Sequence, residues 1–478
     1  MLLNFLYCAA LWIASPLVIY RAARFGRYRR GVRQKFLGLS REDLEFADET
    51  RKLDGSAPVA WFHAVSVGEV NLITGLVRTF RAAHPDYQVV VSTSTDTGYD
   101  LAKSRFHDLP VFFCPLDFTW SINRTFATLR PRLLVLAELE LWPNLIRFAG
   151  NWGCRVAVAN GRLSRRSARS YRRFARLLSP TFARLDWIGC QESSYAERFV
   201  ACGARPQAVA ITGSIKFDDA PSTRDTLEIH RIARWAGVDP WHQVLVAGST
   251  HSGEEAIALQ AYQQLSAEHR ELRLVIVPRH KERFDEVAKL IAAAGYQVRR
   301  RSEKLSPSDH WPADTVVLVD TLGELQHWWG ISRIAFVGGG FGARGGQNML
   351  EPAGYGSAVC FGPNTQNFED IARRLIEAEG AVRLQEPGEL VRFAERCLND
   401  PPAADALGLQ AREVVAAHRG ATARTIKQLS RLVAAEQQPA VGRETARPAS
   451  GSAKDRAGIR PVPTPLPWPR RSQRRRRR

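Results

Sequence analysis

Cysteine is scarce in this chain: seven in 478 residues, at Cys8, Cys114, Cys154, Cys190, Cys202, Cys360 and Cys397. No two form a C-x-x-C pair, which argues against a zinc ribbon and a disulfide framework and favours reduced thiols buried in apolar runs of a cytosolic body. An Asp-x-Asp element and an internal repeat are also missing. Acidic side chains are the minority, 48 against 67 basic ones, for a formal net charge of +19. Part of that excess belongs to the end of the chain, RPVPTPLPWPRRSQRRRRR. A Pro-rich stretch closing in arginines buries no core, so 437–478 is expected to be a disordered basic tail.

Long, predominantly apolar runs are lacking too, with one exception. Leu2 to Tyr20 carries no charge and is followed at once by RAARFGRYRRGVRQK. Residues 1–25 are therefore expected to form a membrane-anchoring helix. It has just the length to span, with the basic flank keeping the downstream chain in the cytoplasm. Pro16 leaves open a helix lying in the interface. A cleaved signal peptide is disfavoured, because the charge follows the apolar run.

What remains is long enough for two core domains. Short β-branched runs alternate with helix-like segments. In the first half they are Val59–Val65, Gln88–Ser92, Leu133–Leu136, Arg155–Ala159, Trp187–Cys190 and Val209–Ile211. In the second they are Val244–Ala247, Leu272–Val277, Thr315–Val319, Arg333–Val337, Ala358–Phe361 and Ala381–Leu384. Continuous apolar strands alternating with helices predict doubly wound parallel α/β sheets. The polar segment Asp218–Asp225 marks the break, giving domains 26–220 and 221–436. Facing domains of this kind hold ligands at the carboxyl ends of their strands.

Several motifs sit at such ends. An apolar strand runs into Gly338, Gly339, Gly340, Gly342, Gly345 and Gly346, then Asn348-Met349-Leu350-Glu351. Glycines there let bare N–H groups approach a phosphate, and Glu351 can accept from a ribose. Ala247–His251, Pro278-Arg279 and Leu322-Gly323-Glu324 close three further strands of the same domain. In the first half Glu69 follows a strand at the start of a helix, as a capping carboxylate or as a general base. Glu138 and Glu140 share one face of a strand end; they can take a proton, pair with a basic residue or, as the last choice, hold a metal. Lys216, in TGSIKFD, stands at the hinge as a solvated lysine or as a cation meeting a phosphate or carboxylate. Arg162 to Arg176, with Leu178 just beyond, places Tyr171, Phe174 and Leu178 at helical spacing among arginines, the pattern of a basic amphipathic helix on anionic headgroups.

In order, WFHAVSVGE, STSTDTG, LELWPN, NGRLSRRSARSY, TGSIKFD, AGSTHSGEE, VPRHKERF, DTLGEL and RGGQNMLEPAGYGSAVCFGPNTQNF resemble the blocks of the 3-deoxy-D-manno-octulosonic acid (Kdo) transferases, from the amino terminus to about Glu436. The resemblance implies the GT-B fold, two facing Rossmann-like domains. It implies inverting, metal-independent transfer of Kdo from CMP-Kdo to a lipid A precursor at the cytoplasmic side of the inner membrane, without a cofactor. It casts Glu69 as general base and Glu138 and Lys216 as transition-state stabilisers. It assigns CMP binding to Pro278, Arg279, Leu322, Gly323, Glu324, Asn348, Met349, Leu350 and Glu351. The chain departs from the family's His-Asn-Pro-Leu-Glu at Gln347 and Met349. Gln347 cannot carry a proton, and Met349 loses proline's rigidity. The competing expectations are another GT-B enzyme using a UDP-sugar, or a non-catalytic basic protein binding membrane or nucleic acid; for a Kdo transferase no nucleic-acid partner is expected.

Overall fold

The computed structural model describes residues 2–25, 29–44, 56–303, 311–312 and 314–437. The tail expected at 437–478 lies outside them apart from Gln437. Within the described residues the alternating runs become two parallel sheets. The first holds β1 (Val59–His63), β2 (Gln88–Thr93), β3 (Val111–Phe113), β4 (Pro131–Ala137), β5 (Arg155–Gly161), β6 (Trp187–Cys190) and β7 (Val209–Ile211). Its order is β3-β2-β1-β4-β5-β6-β7. The second holds β8 (Gln243–Thr250), β9 (Leu272–Pro278), β10 (Gln297–Arg300), β11 (Thr315–Leu318), β12 (Ile334–Val337), β13 (Ala358–Phe361) and β14 (Ala381–Arg383). Its order is β10-β11-β9-β8-β12-β13-β14.

Parallel neighbours cannot be joined by hairpins, so helices cross over and cover both faces. Side chains alternate across a strand. Trp61 therefore joins Phe112, Phe126 and Phe199 on one face of the first sheet, while Phe62 joins Leu76, Phe80 and Val91 on the other. The second sheet repeats this with Val246, Trp328 and Trp329 opposite Leu245, Phe336 and Phe393. The two sheets, each covered on both faces, bear out the α/β reading. Strand order reverses between β1 and β4, and between β8 and β12. The crevices outside those strand ends are where such sheets take ligands.

The carboxyl-terminal helices correct one boundary. Helix Pro401–His418 stays with the second sheet, but the chain turns at Gly420 (φ +89) into helix Ala421–Gln437. That helix buries Ala421, Ile426, Leu429 and Val433 against Val70, Ile73 and Leu76 of the first lobe. His84 Nε2 lies 2.7 Å from Ser430 Oγ. The polypeptide thus returns to the lobe it began in, and a second domain running to 436 does not match the packing. Asp218 accepts hydrogen bonds from the amides of Gly420 and Thr422, and Arg419 donates to the carbonyls of Ala220 and Pro221. These bonds tie the two interlobe crossings side by side.

A helix does form over Leu2–Phe25, yet no helix among the described residues is long and apolar enough to cross a membrane. This corrects the spanning option. The first turns are polar in use: Asn4 donates to Thr119 Oγ1 at 2.7 Å, and Tyr7 donates to Asp117 at 2.8 Å. Asp117 in turn accepts the amides of Asn144 and Leu145. The helix is therefore bonded to the start of helix Pro143–Asn151, just beyond Glu138 and Glu140. Phe5, between Asn4 and Tyr7, faces outward, and further along the helix Trp12 and Ile13 are 80% and 73% exposed, with Leu17 and Ile19 also outward. Of the cysteines, all but Cys8 are buried and none is in a disulfide.

Candidate active site

Helix Val67–Ala83 starts at Ser66, and Glu69 is its third residue. The carboxylate accepts the Val65 amide at 2.8 Å and the Ser66 hydroxyl at 3.2 Å. The capping reading of Glu69 is the one these bonds show, and they fix the carboxylate at the tip of β1. Burial pushes its pKa up to about 7, and the nearby Glu140 and Glu138 charges push the same way against the Val65 and Ser66 bonds. A carboxyl at that value takes a proton readily near neutral pH.

Glu138 follows β4, across the strand-order reversal from Glu69. Its backbone is left-handed (φ +53), a strained conformation for a residue with a Cβ. Its amide donates to Ala159 at 2.9 Å. Lys216, in the short 3-10 turn Ile215–Phe217, brings Nζ to 3.6 Å from Glu138 Oε1. Glu140 accepts from the Trp142 indole at 3.2 Å, and burial raises its pKa. The structure therefore gathers Glu69, Glu138 and Lys216, with Glu140 beside them.

Asn160 was not singled out in the sequence. It is fully buried at the end of β5, also left-handed (φ +58). Its Nδ2 lies 3.5 Å from Glu138, and its Oδ1 accepts the Ile215 amide at 3.0 Å. One side chain thereby sets both the carboxylate and the turn that carries Lys216. The available signal was Asn-Gly after an apolar strand, because Asn tolerates the left-handed region better than other residues.

The glycine segment after β12 does not present all its amides to a ligand. Glu254, 2% exposed, accepts from Gly339 at 2.7 Å, Gly340 at 3.0 Å, Phe341 at 3.1 Å and His251 at 2.9 Å. The Gly338 and Gly346 amides go to Gly248 and Gly339 carbonyls. The expectation of bare glycine N–H groups is corrected at these positions. An internal carboxylate fills the anion-binding concavity and fixes the loop.

The remaining second-lobe candidates form separate clusters. The Arg279 amide donates to Thr250 at 3.0 Å, which places Arg279 at the β8–β9 ends. Gln347 Nε2 reaches His251 Nε2 at 3.2 Å. Leu322 is 70% exposed at a loop tip, next to Gly323 at φ +88. Glu324 takes a two-pronged bond from Arg301 (2.9 and 3.0 Å) and one from Thr321. Burial pushes Glu324 up, but those partners outweigh it and hold its pKa below the ordinary value. Asn348 donates to Glu351 at 3.0 Å and accepts the Leu350 amide; burial pushes the Glu351 carboxyl up. Met349 and Leu350 are 0% and 1% exposed in the second-lobe core. Their side chains support the loop from beneath, which leaves only their backbone groups to meet a ligand.

Lys216 links the lobes: its Nζ lies 5.8 Å from the centre of the Phe368 ring. They share a recess with Arg162, Ser214, Asn367 and Asp370. The basic helix is split at Phe174 into Arg165–Arg173 and Ala175–Ala183. Tyr171 and Leu178 pack inward, while Phe174 is 59% exposed among exposed arginines.

Comparison with known proteins follows this geometry. The family described as 3-deoxy-D-manno-octulosonic-acid transferase (kdotransferase) matches residues 22–219. A 3-deoxy-D-manno-octulosonic acid transferase of Haemophilus influenzae is 33% identical over 437 residues, 88% of this chain and 97% of that protein. One of Bordetella pertussis is 34% identical over 384 residues, 78% of this chain and 87% of that protein. Among solved structures, a glycosyltransferase from Rickettsia africae superposes with a TM-score of 0.51, covering 79% of this chain and 99% of that one. Its sequence identity is 9%, so the likeness is one of fold.

Proposed function

The chain belongs to the 3-deoxy-D-manno-octulosonic acid (Kdo) transferase family, and on that premise we propose that it moves Kdo from CMP-Kdo to a hydroxyl of a lipid A precursor, with Glu69 as the base. It is a glycosyltransferase of lipopolysaccharide biosynthesis with the GT-B fold, and the reading as a non-catalytic basic protein falls away. The observation that carries the mechanism is the convergence of Glu69, Glu138 and Lys216 at neighbouring strand ends.

An alcohol is a weak nucleophile near neutral pH and needs a base within hydrogen-bond reach. Glu69 takes the proton as the acceptor oxygen bonds to the anomeric carbon. The bond from that carbon to the CMP phosphate oxygen breaks, and its electron pair leaves with CMP. Displacement from the opposite side inverts the centre. Positive character grows on the sugar ring in such transfers, and Glu138 stands near enough to stabilise it. Negative charge grows on the phosphate, where Lys216 and Arg279 supply cations. Mass spectrometry of a lipid A precursor incubated with the full chain and CMP-Kdo tests this. The product gains the mass of Kdo; an unchanged precursor, or equal turnover with a UDP-sugar, refutes it.

The acceptor is a lipid, and the exposed apolar side chains of helix Leu2–Phe25 together with the arginines of 165–176 suit attachment in the headgroup region. Vesicles containing anionic lipid should bind the protein in a salt-dependent way. Substituting Arg165, Arg166 and Arg169 together should weaken binding by about 1 kcal/mol per arginine. Binding indifferent to both salt and substitution counts against attachment.

A further inference from the structure

The sugar named by the family is an ulosonic acid, so a carboxylate is attached directly to its anomeric carbon. Any pose that brings this carbon to Glu69 also brings that carboxylate among Glu69, Glu138 and Glu140. Like charges so placed repel, and a fixed cation is needed beside them. Lys216 is already paired with Glu138.

Arg162 meets the requirement. It follows β5 directly and lines the recess with Lys216 and Phe368. Its guanidinium stays charged at any working pH and presents a planar fork matching a carboxylate. Asp370, the carboxylate paired with it, stands 3.9 Å away, beyond hydrogen-bonding distance, and the Tyr195 hydroxyl bridges the two, hydrogen-bonded to both. Asp370 belongs to the other lobe, in the first turn of helix Glu369–Glu377, and is held by the Tyr195 hydroxyl. A second interlobe clasp, Glu192 with Arg373 and Arg374, lies beside it.

We propose that Arg162 is the specificity-determining residue that receives the donor's sugar carboxylate, with Asp370 standing in that position until the donor arrives. The assignment rests on the transferase reading above. It adds that the enzyme selects acidic sugars through this guanidinium, whereas CMP alone does not engage it. Donor approach exchanges Asp370 for the sugar carboxylate and leaves Tyr195 to hold Asp370 aside.

The test measures equilibrium CMP affinity, donor KM and kcat for the full-length wild type, R162Q, R162K and D370N. R162Q should raise donor KM about 10- to 100-fold, the worth of a two-pronged charged pair, and leave CMP affinity within about twofold of wild type. R162K keeps the charge but loses the fork, and should fall between. D370N removes a weak competitor and should lower donor KM by no more than about fivefold. The assignment is overturned if R162Q keeps donor KM within about twofold, or weakens CMP as much as CMP-Kdo. It is also overturned if D370N raises donor KM as R162Q does, since the pair is then only a structural clasp. A wild type that transfers no Kdo refutes the transferase reading itself, and the assignment with it; the Arg162 outcomes are read on an active wild type.

Discussion

Glu69→Gln is expected to cut Kdo transfer by about 10²–10⁴-fold, the usual contribution of a positioned base, while CMP affinity stays within about twofold. Gln keeps an oxygen that can accept the Val65 amide, so the helix start survives. What it loses is the ability to take a proton. The same substitution carries a stability signature. Burial raises the folded pKa from an ordinary 4.5 to about 7. Between those values the folded chain holds more protons than the unfolded one, so stability is full below about 4.5 and declines as pH rises through about 7. Gln has no charge to desolvate. Glu69→Gln should therefore melt higher than wild type at pH 8, with the gap shrinking towards pH 5. An active but less stable wild type is the pattern of a strained functional group. A variant that is both active and no more stable would remove Glu69 from the mechanism.

Glu254→Ala should be the most damaging single change in the second lobe. It leaves the amides of His251, Gly339, Gly340 and Phe341 without their shared acceptor in a buried setting. An orphaned buried donor costs about 1–3 kcal/mol. Even if water reaches some of them, a loss of about 3 kcal/mol or more in urea unfolding is expected. CMP binding should weaken as well, because the loop after β12 loses its internal anchor. Glu254→Gln should be nearly as harmful. Each carboxylate oxygen accepts two amides, and an –NH2 in place of either would point donors at donors. A Glu254→Ala variant within about 1 kcal/mol of wild type would show that these bonds do not hold the loop.

Much of the architecture was legible because parallel strands buried on both faces leave continuous β-branched runs. Trp187–Cys190, Val209–Ile211 and Ala358–Phe361 were bounded as they occur. Two edge strands were not. Val111–Phe113 is three residues long after a proline, and Gln297–Arg300 carries two arginines at the sheet margin. Edges need no apolar run, so periodicity misses them. The clustering of motifs at strand ends was legible because doubly wound sheets place ligands there. The filling of the glycine loop by Glu254 was not, since that bond joins residues 85 apart in sequence. The domain bound at 436 carried no mark of which lobe the closing helix Ala421–Gln437 would meet. Asn160 shows a similar limit, because its sequence neighbours do not reveal that it clamps both Glu138 and the Lys216 turn.

The account turns on a carboxyl group at residue 69 that is poised near neutrality and removes the acceptor's proton. Single-turnover Kdo transfer measured from pH 5 to pH 9, on wild type and Glu69→Gln, addresses it directly. The wild type should show an acidic limb with an apparent pKa of about 7, and the limb should vanish with the residual activity of the variant. A limb near 4.5, or one that persists in Glu69→Gln, contradicts the account.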